Sequence, residues 1–199
     1  MSSPLLDLLA ALAELFEPGG RFRQAAFARA QAGTWAGPRL RAALEALRVA
    51  DPLDRDVAYA DHFLYSSWHP VLHLEASVQT LGHLCDEDLL ARRADLHRSM
   101  GVLPPSGRCA DHLASGFTIL ATGLGVLATE PRDPDRNRAI HTFVTEHLGP
   151  QVRQLQALGQ GRPLHPVYSA ALEVAMALLE ELGPALAGPG SAEGGRVSA

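Results

Sequence analysis

The sequence predicts an all-α fold: a single helical bundle over residues 1–187, followed by a disordered tail at 188–199. Three observations lead there. Of the 199 residues 47% are hydrophobic but only 6% aromatic, with Leu and Ala prominent, which suits helices packed on helices better than sheets built from Val, Ile and Tyr. Apolar residues recur at steps of three and four, and no segment keeps the strict alternation of a half-buried strand. A chain of this length buries roughly 70% of its unfolded surface on folding, so its core needs no disulfide or metal staple.

Ser3 and Pro4 form a cap and first-turn pair ahead of Leu5, Leu8, Leu9, Leu12, Leu15 and Phe16, and Pro18-Gly19-Gly20 ends that helix. A short, weakly patterned stretch at 22–30 follows, then a loop at 33–37. Pro38 opens a helix carrying Leu40, Ala43, Leu44 and Leu47, which Asp51-Pro52 stops. From Asp54 the positions Val57, Ala60, Phe63 and Leu64 describe another helix. It breaks near Ser66, Ser67 and the His69-Pro70 step, because a residue before proline resists α geometry.

Val71, Leu74, Val78 and Leu81 mark a further helix, Asp86 is placed to cap the next, and Gly101 with Pro104-Pro105 closes it. The clearest helix runs over roughly 109–128, where Leu113, Phe117, Leu120, Leu124 and Leu127 alternate steps of four and three; it is the candidate central helix. Asp133-Pro134 repeats the cap signal before Ile140, Phe143, Val144 and Leu148. Gly149-Pro150 marks a break or kink before Val152, Leu155 and Leu158. Tyr168, Leu172, Ala175, Leu179 and Leu182 define the last helix, and beyond Gly188 the apolar content is too low to offset ordering entropy.

The formal charge of −5 argues against wholesale binding to a nucleic-acid backbone, which needs clustered Lys and Arg, and makes a basic peptide the better electrostatic match. Cys85 and Cys109 form neither a disulfide framework nor a CxxC pair. Nothing after Met1 reads as an export leader, and charges, Pro or Gly interrupt every apolar segment before it could span a bilayer. A cytoplasmic chain with no integral membrane segment is expected.

Nine histidines invite a metal reading, and His69 with His73 has the i, i+4 spacing of paired ligands. The glutamate of an HExxH helix is missing, however, and Pro70 places His69 ahead of the helix rather than one turn from His73. Cys85 near His83, and Cys109 near His112, could pair a thiol with a base, yet residues two or three apart diverge around a helix and small cysteines pack readily in cores. No GxSxG elbow, phosphate-binding loop or GxGxxG fingerprint accompanies them. No catalytic residue, metal ligand or cofactor is therefore expected. Asp111-His112, at the head of the strongest helix, has a plain explanation as a first-turn acid with an exposed neighbour.

The order of these features resembles the TorD family of molybdoenzyme chaperones, with its DmsD-like and NarJ-like relatives. Tyr59-Ala60-Asp61-His62-Phe63-Leu64-Tyr65 is similar to the family's Tyr-x-x-Leu-Phe segment, and Leu74-Glu75-Ala76-Ser77-Val78 to its Glu-Ser-Val segment. The stretch at 96–101 resembles the helix end that closes on a glycine before the signature loop. Ala110-Asp111-His112-Leu113, continuing through Phe117 and Leu120, resembles the Glu-x-Pro-Asp-His-Leu signature, with Ala110 in place of the proline and Gly116 where the following helix often carries Glu. The stretches at 143–158 and 168–182 look like the closing helices, so the resemblance covers roughly 54–182, most of a domain.

The resemblance implies a cytoplasmic chaperone that binds the precursor of a molybdopterin-containing oxidoreductase, its signal peptide or its apoenzyme, until the cofactor is inserted and before export. A twin-arginine leader joins two guanidinium groups to an apolar stretch, so its receptor needs acceptor oxygens beside a hydrophobic groove. By resemblance Asp111 and His112 face the peptide, with Tyr59, Phe63, Glu75 and Ser77 as the opposite wall; Tyr59 and Phe63 are equally explained as core. Asp111→Ala is then expected to weaken peptide binding with little loss of stability, a first-turn charge contributing only about 0.3–1 kcal/mol. The other readings are a helical adaptor for an unrelated protein and a small metal-binding helical enzyme. A monomer and a homodimer both fit the sequence.

Overall fold

The structure, a computed structural model, describes residues 3–64, 72–76, 78, 86–103, 110–130, 133–160 and 164–187. Helices account for the described fold, and the one extended pairing among these residues is an isolated antiparallel bridge between Glu75 and His112. No helix among them is long and apolar enough to cross a membrane.

Helix α1 (Pro4–Leu15) starts at the Ser3-Pro4 step and buries Leu8, Leu9, Ala11, Leu12, Ala13 and Leu15, with Phe16 buried just past its end. A helix apolar on nearly every side belongs inside a bundle, and α1 lies there. At the turn that follows, Gly20 passes so close to the Glu14 carbonyl that a Cβ would stand 1.6 Å from its oxygen, which requires glycine. Helix α2 (Gln24–Ala32) seals α1 with Ala26, Phe27 and Ala30. This stretch was legible only as weakly patterned because its buried side is mostly alanine. Helix α3 (Pro38–Val49) packs on the last helix, and its capping amide, Gly37 N, donates to both carboxylate oxygens of Glu181 at 3.1 and 3.0 Å. The negative charge sits at the positive end of the α3 dipole.

Helix α4 (Arg55–Tyr59) widens directly into a π-helical turn, Ala60–Leu64. The expected stripe of Val57, Ala60, Phe63 and Leu64 is only partly the buried one. Tyr59, His62 and Phe63, at i, i+3 and i+4, face inward, whereas Val57 and Leu64, seven residues apart on the opposite side, face solvent. The break expected at 66–70 and most of the helix expected at 71–81 lie outside the described residues.

Helix α5 (Glu87–Ser99) begins as its cap predicts: Asp86 Oδ1 accepts from Leu89 N at 2.8 Å. It ends in a paired closure at Gly101, φ +74°, where Val102 N donates to His97 O and Gly101 N to Arg98 O, both at 2.9 Å. Helix α6 (Leu113–Thr129) starts about four residues later than its apolar pattern suggested, since His112 is its N-cap. It packs lengthwise on α1. Gly116 admits Leu148 where a Cβ would stand 2.7 Å from Cδ1, and Gly123 admits Met100 and Ile140; at 116 a longer side chain has no room.

Helix α7 (Pro134–Thr142), capped by Asp133 Oδ1, passes into a second π-helical turn at Phe143–Leu148 and then α8 (Gly149–Gly159). Of the break or kink expected at Gly149-Pro150, a break is excluded, since helix continues on both sides. The π-helical turn directly upstream is where the helix adjusts to a residue that lacks an N–H. Helix α9 (Pro166–Ala187) buries Val167, Tyr168, Ala171, Leu172, Val174, Ala175 and Met176 among others and packs against α3, α7 and α8. The tail expected at 188–199 lies outside the described residues. One contiguous core joins α1, α6 and α9, centred on Phe16, Phe63, Phe117 and Tyr168 at ring separations of 5.0–6.2 Å.

Candidate functional site

Two stretches far apart in sequence, 74–76 and 111–113, meet backbone to backbone. Leu113 N donates to Leu74 O at 2.9 Å and Ala76 N to Asp111 O at 3.1 Å, forming the Glu75–His112 bridge. Gln151 of α8 reaches into this junction. Its Nε2 donates to Leu74 O at 2.7 Å and to Asp111 O at 2.9 Å, while its Oε1 accepts from Arg93 Nη2 at 3.2 Å. Arg93 Nη1 donates in turn to Ala110 O at 3.4 Å. One buried amide and one buried guanidinium thus fix the turn before α6 against α5 and α8. In a low-dielectric interior these hydrogen bonds are stronger than in water and hold the turn in place.

His112 closes the turn as a cap, its Nδ1 accepting from Ala114 N at 3.2 Å, so the neutral ring carries its proton on Nε2. His112 and Glu75 are half-buried. Asp111 is 0% exposed and lies before the helix rather than in its first turn. The expectation that its removal spares stability took it for an exposed first-turn charge, and its burial removes that premise. Tyr59 and Phe63 are also buried, their rings 5.2 Å apart in the aromatic core, rather than standing as an open wall. Ser77 lies outside the described residues.

Tyr59 links this core to charge. Its hydroxyl donates to Phe16 O at 3.3 Å, and burial, with the carboxylates of Glu75 and Glu17 adding to it, pushes the phenol up to about 12. Glu17 follows α1, so two half-buried carboxylates from distant parts of the chain stand around one buried tyrosine. That pair gives the site an acidic edge.

Behind the junction lies a buried basic cluster. Arg93 and His97 lie one turn apart on α5; His97 is edge-on to Phe143 at 5.5 Å, and His147 stacks on the same ring at 6.2 Å. Neither ring nitrogen of His97 has a hydrogen-bond partner. Burial first, then the charges of Arg93 and His147, lower its imidazole to about 4, so it stays neutral; His147 is lowered by burial and Arg93 in the same way. Two other histidines are bound structurally. His62 Nε2 accepts from His165 N at 3.0 Å, and His165 caps α9 through Nδ1 while its Nε2 donates to Leu53 O at 3.0 Å.

Among the described residues no group of three or more His, Cys, Asp or Glu is arranged to hold a metal ion. His73 is exposed, and His69, His83, Cys85 and Cys109 lie outside the described residues. Sequence reasoning missed Arg93, His97, Gln151 and Glu17. For Gln151 a signal was present: it lies three residues after Leu148 and four before Leu155, on their buried face. Arg93 and His97 read as part of a solvated, charged helix. No protein-family model matches the chain, and neither a curated protein nor a solved structure does.

Proposed function

We propose that the chain is a chaperone of the TorD type, which binds the arginine-bearing leader and apo form of a molybdopterin-containing oxidoreductase in the cytoplasm and performs no turnover of its own. The observation that carries the reading is the convergence at one junction of stretches chosen separately for their resemblance. Segment 74–76 bridges the turn at 111–113, Gln151 of the closing helices binds both, and Arg93 of the helix ending at Gly101 binds Gln151. Tyr59 and Phe63 lie in the core below.

In this reading Asp111 is a positioning residue. The group offered to a client's guanidinium ions is the half-buried carboxylate of Glu75, with His112 beside it across the bridge. Carboxylates take guanidinium groups in two-point hydrogen bonds, and partial burial strengthens those bonds relative to water. The test is the affinity of the purified chain for a twin-arginine leader peptide, compared with Glu75→Gln. Binding that weakens at least tenfold while the melting temperature stays unchanged is the expected result; equal binding by the variant removes Glu75 from the account.

A further inference from the structure

The segment from Leu53 to Leu64 is apolar on two sides. Tyr59, His62 and Phe63 fill the inner one, yet Leu53 is 68% exposed, Val57 70% and Leu64 52%. Beside the first two runs a groove of about 410 Å³ whose far wall is Phe22, with Pro52 and Asp54 along it. The loop that forms it is held in place before any ligand arrives. Asp51 Oδ1 accepts from Leu53 N at 2.9 Å, His165 donates to Leu53 O at 3.0 Å, and the Tyr168 hydroxyl donates to Arg55 O at 3.2 Å. A preformed surface loses little conformational entropy on binding.

The surroundings are acidic. Residues 51–64 hold Asp51, Asp54, Asp56 and Asp61 against a single cation, Arg55, which is bound to Asp56 at 2.5 Å. Of the two arginines flanking Phe22, Arg23 is paired with Glu14 at 2.9 Å, so the local balance stays negative even with Arg21 included. An apolar stripe with a negative border is complementary to an apolar segment that carries positive charge.

We propose that this face receives a basic amphipathic segment of another polypeptide, its apolar side on Leu53, Val57 and Leu64 and its arginines or lysines toward the aspartates. The inference rests on the chain being a polypeptide-binding chaperone. It gives the apolar part of a bound leader a surface of its own, separate from the Glu75 carboxylate.

The full chain and the Val57→Ser/Leu64→Ser variant are titrated with a labelled synthetic peptide in which two adjacent arginines precede an apolar run. The variant is expected to bind about tenfold or more weakly, since two apolar contacts are lost. Asp54→Asn/Asp56→Asn reads the charged border independently: weaker binding with a flatter dependence on salt is expected. Wild-type affinity in both variants overturns the docking face while leaving the chaperone reading in place. No binding of the peptide by the wild-type chain overturns both. A wild-type dimer that Val57→Ser/Leu64→Ser converts to monomer, with peptide affinity unaltered, assigns the face to a second copy of the chain and overturns the proposal.

Discussion

At Gln151 one side-chain amide holds three parts of the chain together, donating to Leu74 O and Asp111 O and accepting from Arg93. Gln151→Leu keeps the volume and removes every one of those bonds. It leaves a buried guanidinium without one of its acceptors, so unfolding free energy is expected to fall by about 2–3 kcal/mol. A urea titration reads this as a lower midpoint at unchanged slope, and an unchanged midpoint contradicts it. Asp111→Ala, at another buried residue, is expected to lower the unfolding free energy too, by about 1–3 kcal/mol, read as a lower midpoint. His97 adds a dependence on pH. The unfolded chain takes up a proton on this ring near 6.5, whereas the folded chain holds it neutral down to about 4. Its contribution to stability is therefore complete above 6.5 and declines as pH falls toward 4, by about 1.4 kcal/mol per pH unit within that window. His97→Phe is expected to flatten the decline measured by urea midpoints between pH 7 and 5; an identical decline in both proteins contradicts the assignment. Residues of this kind are the least legible in a sequence. Arg93 and His97 look the same on a solvated helix as on a buried one, because only the neighbours supplied by other elements decide which they are.

The elements were far more legible, and the reasons are local. Ser3-Pro4, Pro38, Asp86, Gly101 and Asp133-Pro134 set helix ends through chemistry contained within a few residues, and each lies where that chemistry places it. What the pattern could not convey is where the period changes. The π-helical turns at Ala60–Leu64 and Phe143–Leu148 leave no mark in the apolar spacing, and the second is where the chain passes through the Gly149-Pro150 step without ending the helix. The start of α6 was misplaced for a related reason: the bridge to Glu75, a contact distant in sequence, fixes residues 110–112 outside the helix. Gly101 offers a clean test at this scale. With φ at +74° a Cβ is strained in the left-handed region, and the nearest neighbour of that Cβ, the Arg136 guanidinium, is 3.4 Å away and leaves it room. Gly101→Ala is therefore expected to cost about 1 kcal/mol, seen as a lower melting temperature. A variant as stable as the parent contradicts the paired closure of α5.

Across the whole molecule, three helices buried on most sides, α1, α6 and α9, form the centre, and the remaining helices cover them. The all-α bundle was readable from composition and from three- and four-residue spacing. The expected open cleft at Asp111 was not, because cleft or core is decided by packing among α4, α5, α6 and α8 together. What remains partly exposed there is the carboxylate of Glu75 near the buried aromatic core, and around α4 an apolar stripe with a negative border. Both features suit a ligand that is itself a polypeptide, basic in one part and oily in another. The measurement closest to this claim is isothermal titration of the purified chain with twin-arginine leader peptides, one from a molybdopterin enzyme of its host and one from an exported protein without that cofactor. The account predicts saturable binding of the first, with a dissociation constant on the order of micromolar, and much weaker binding of the second or of the first with both arginines changed to glutamine. Indistinguishable heats for all three peptides, or none with any, would contradict it.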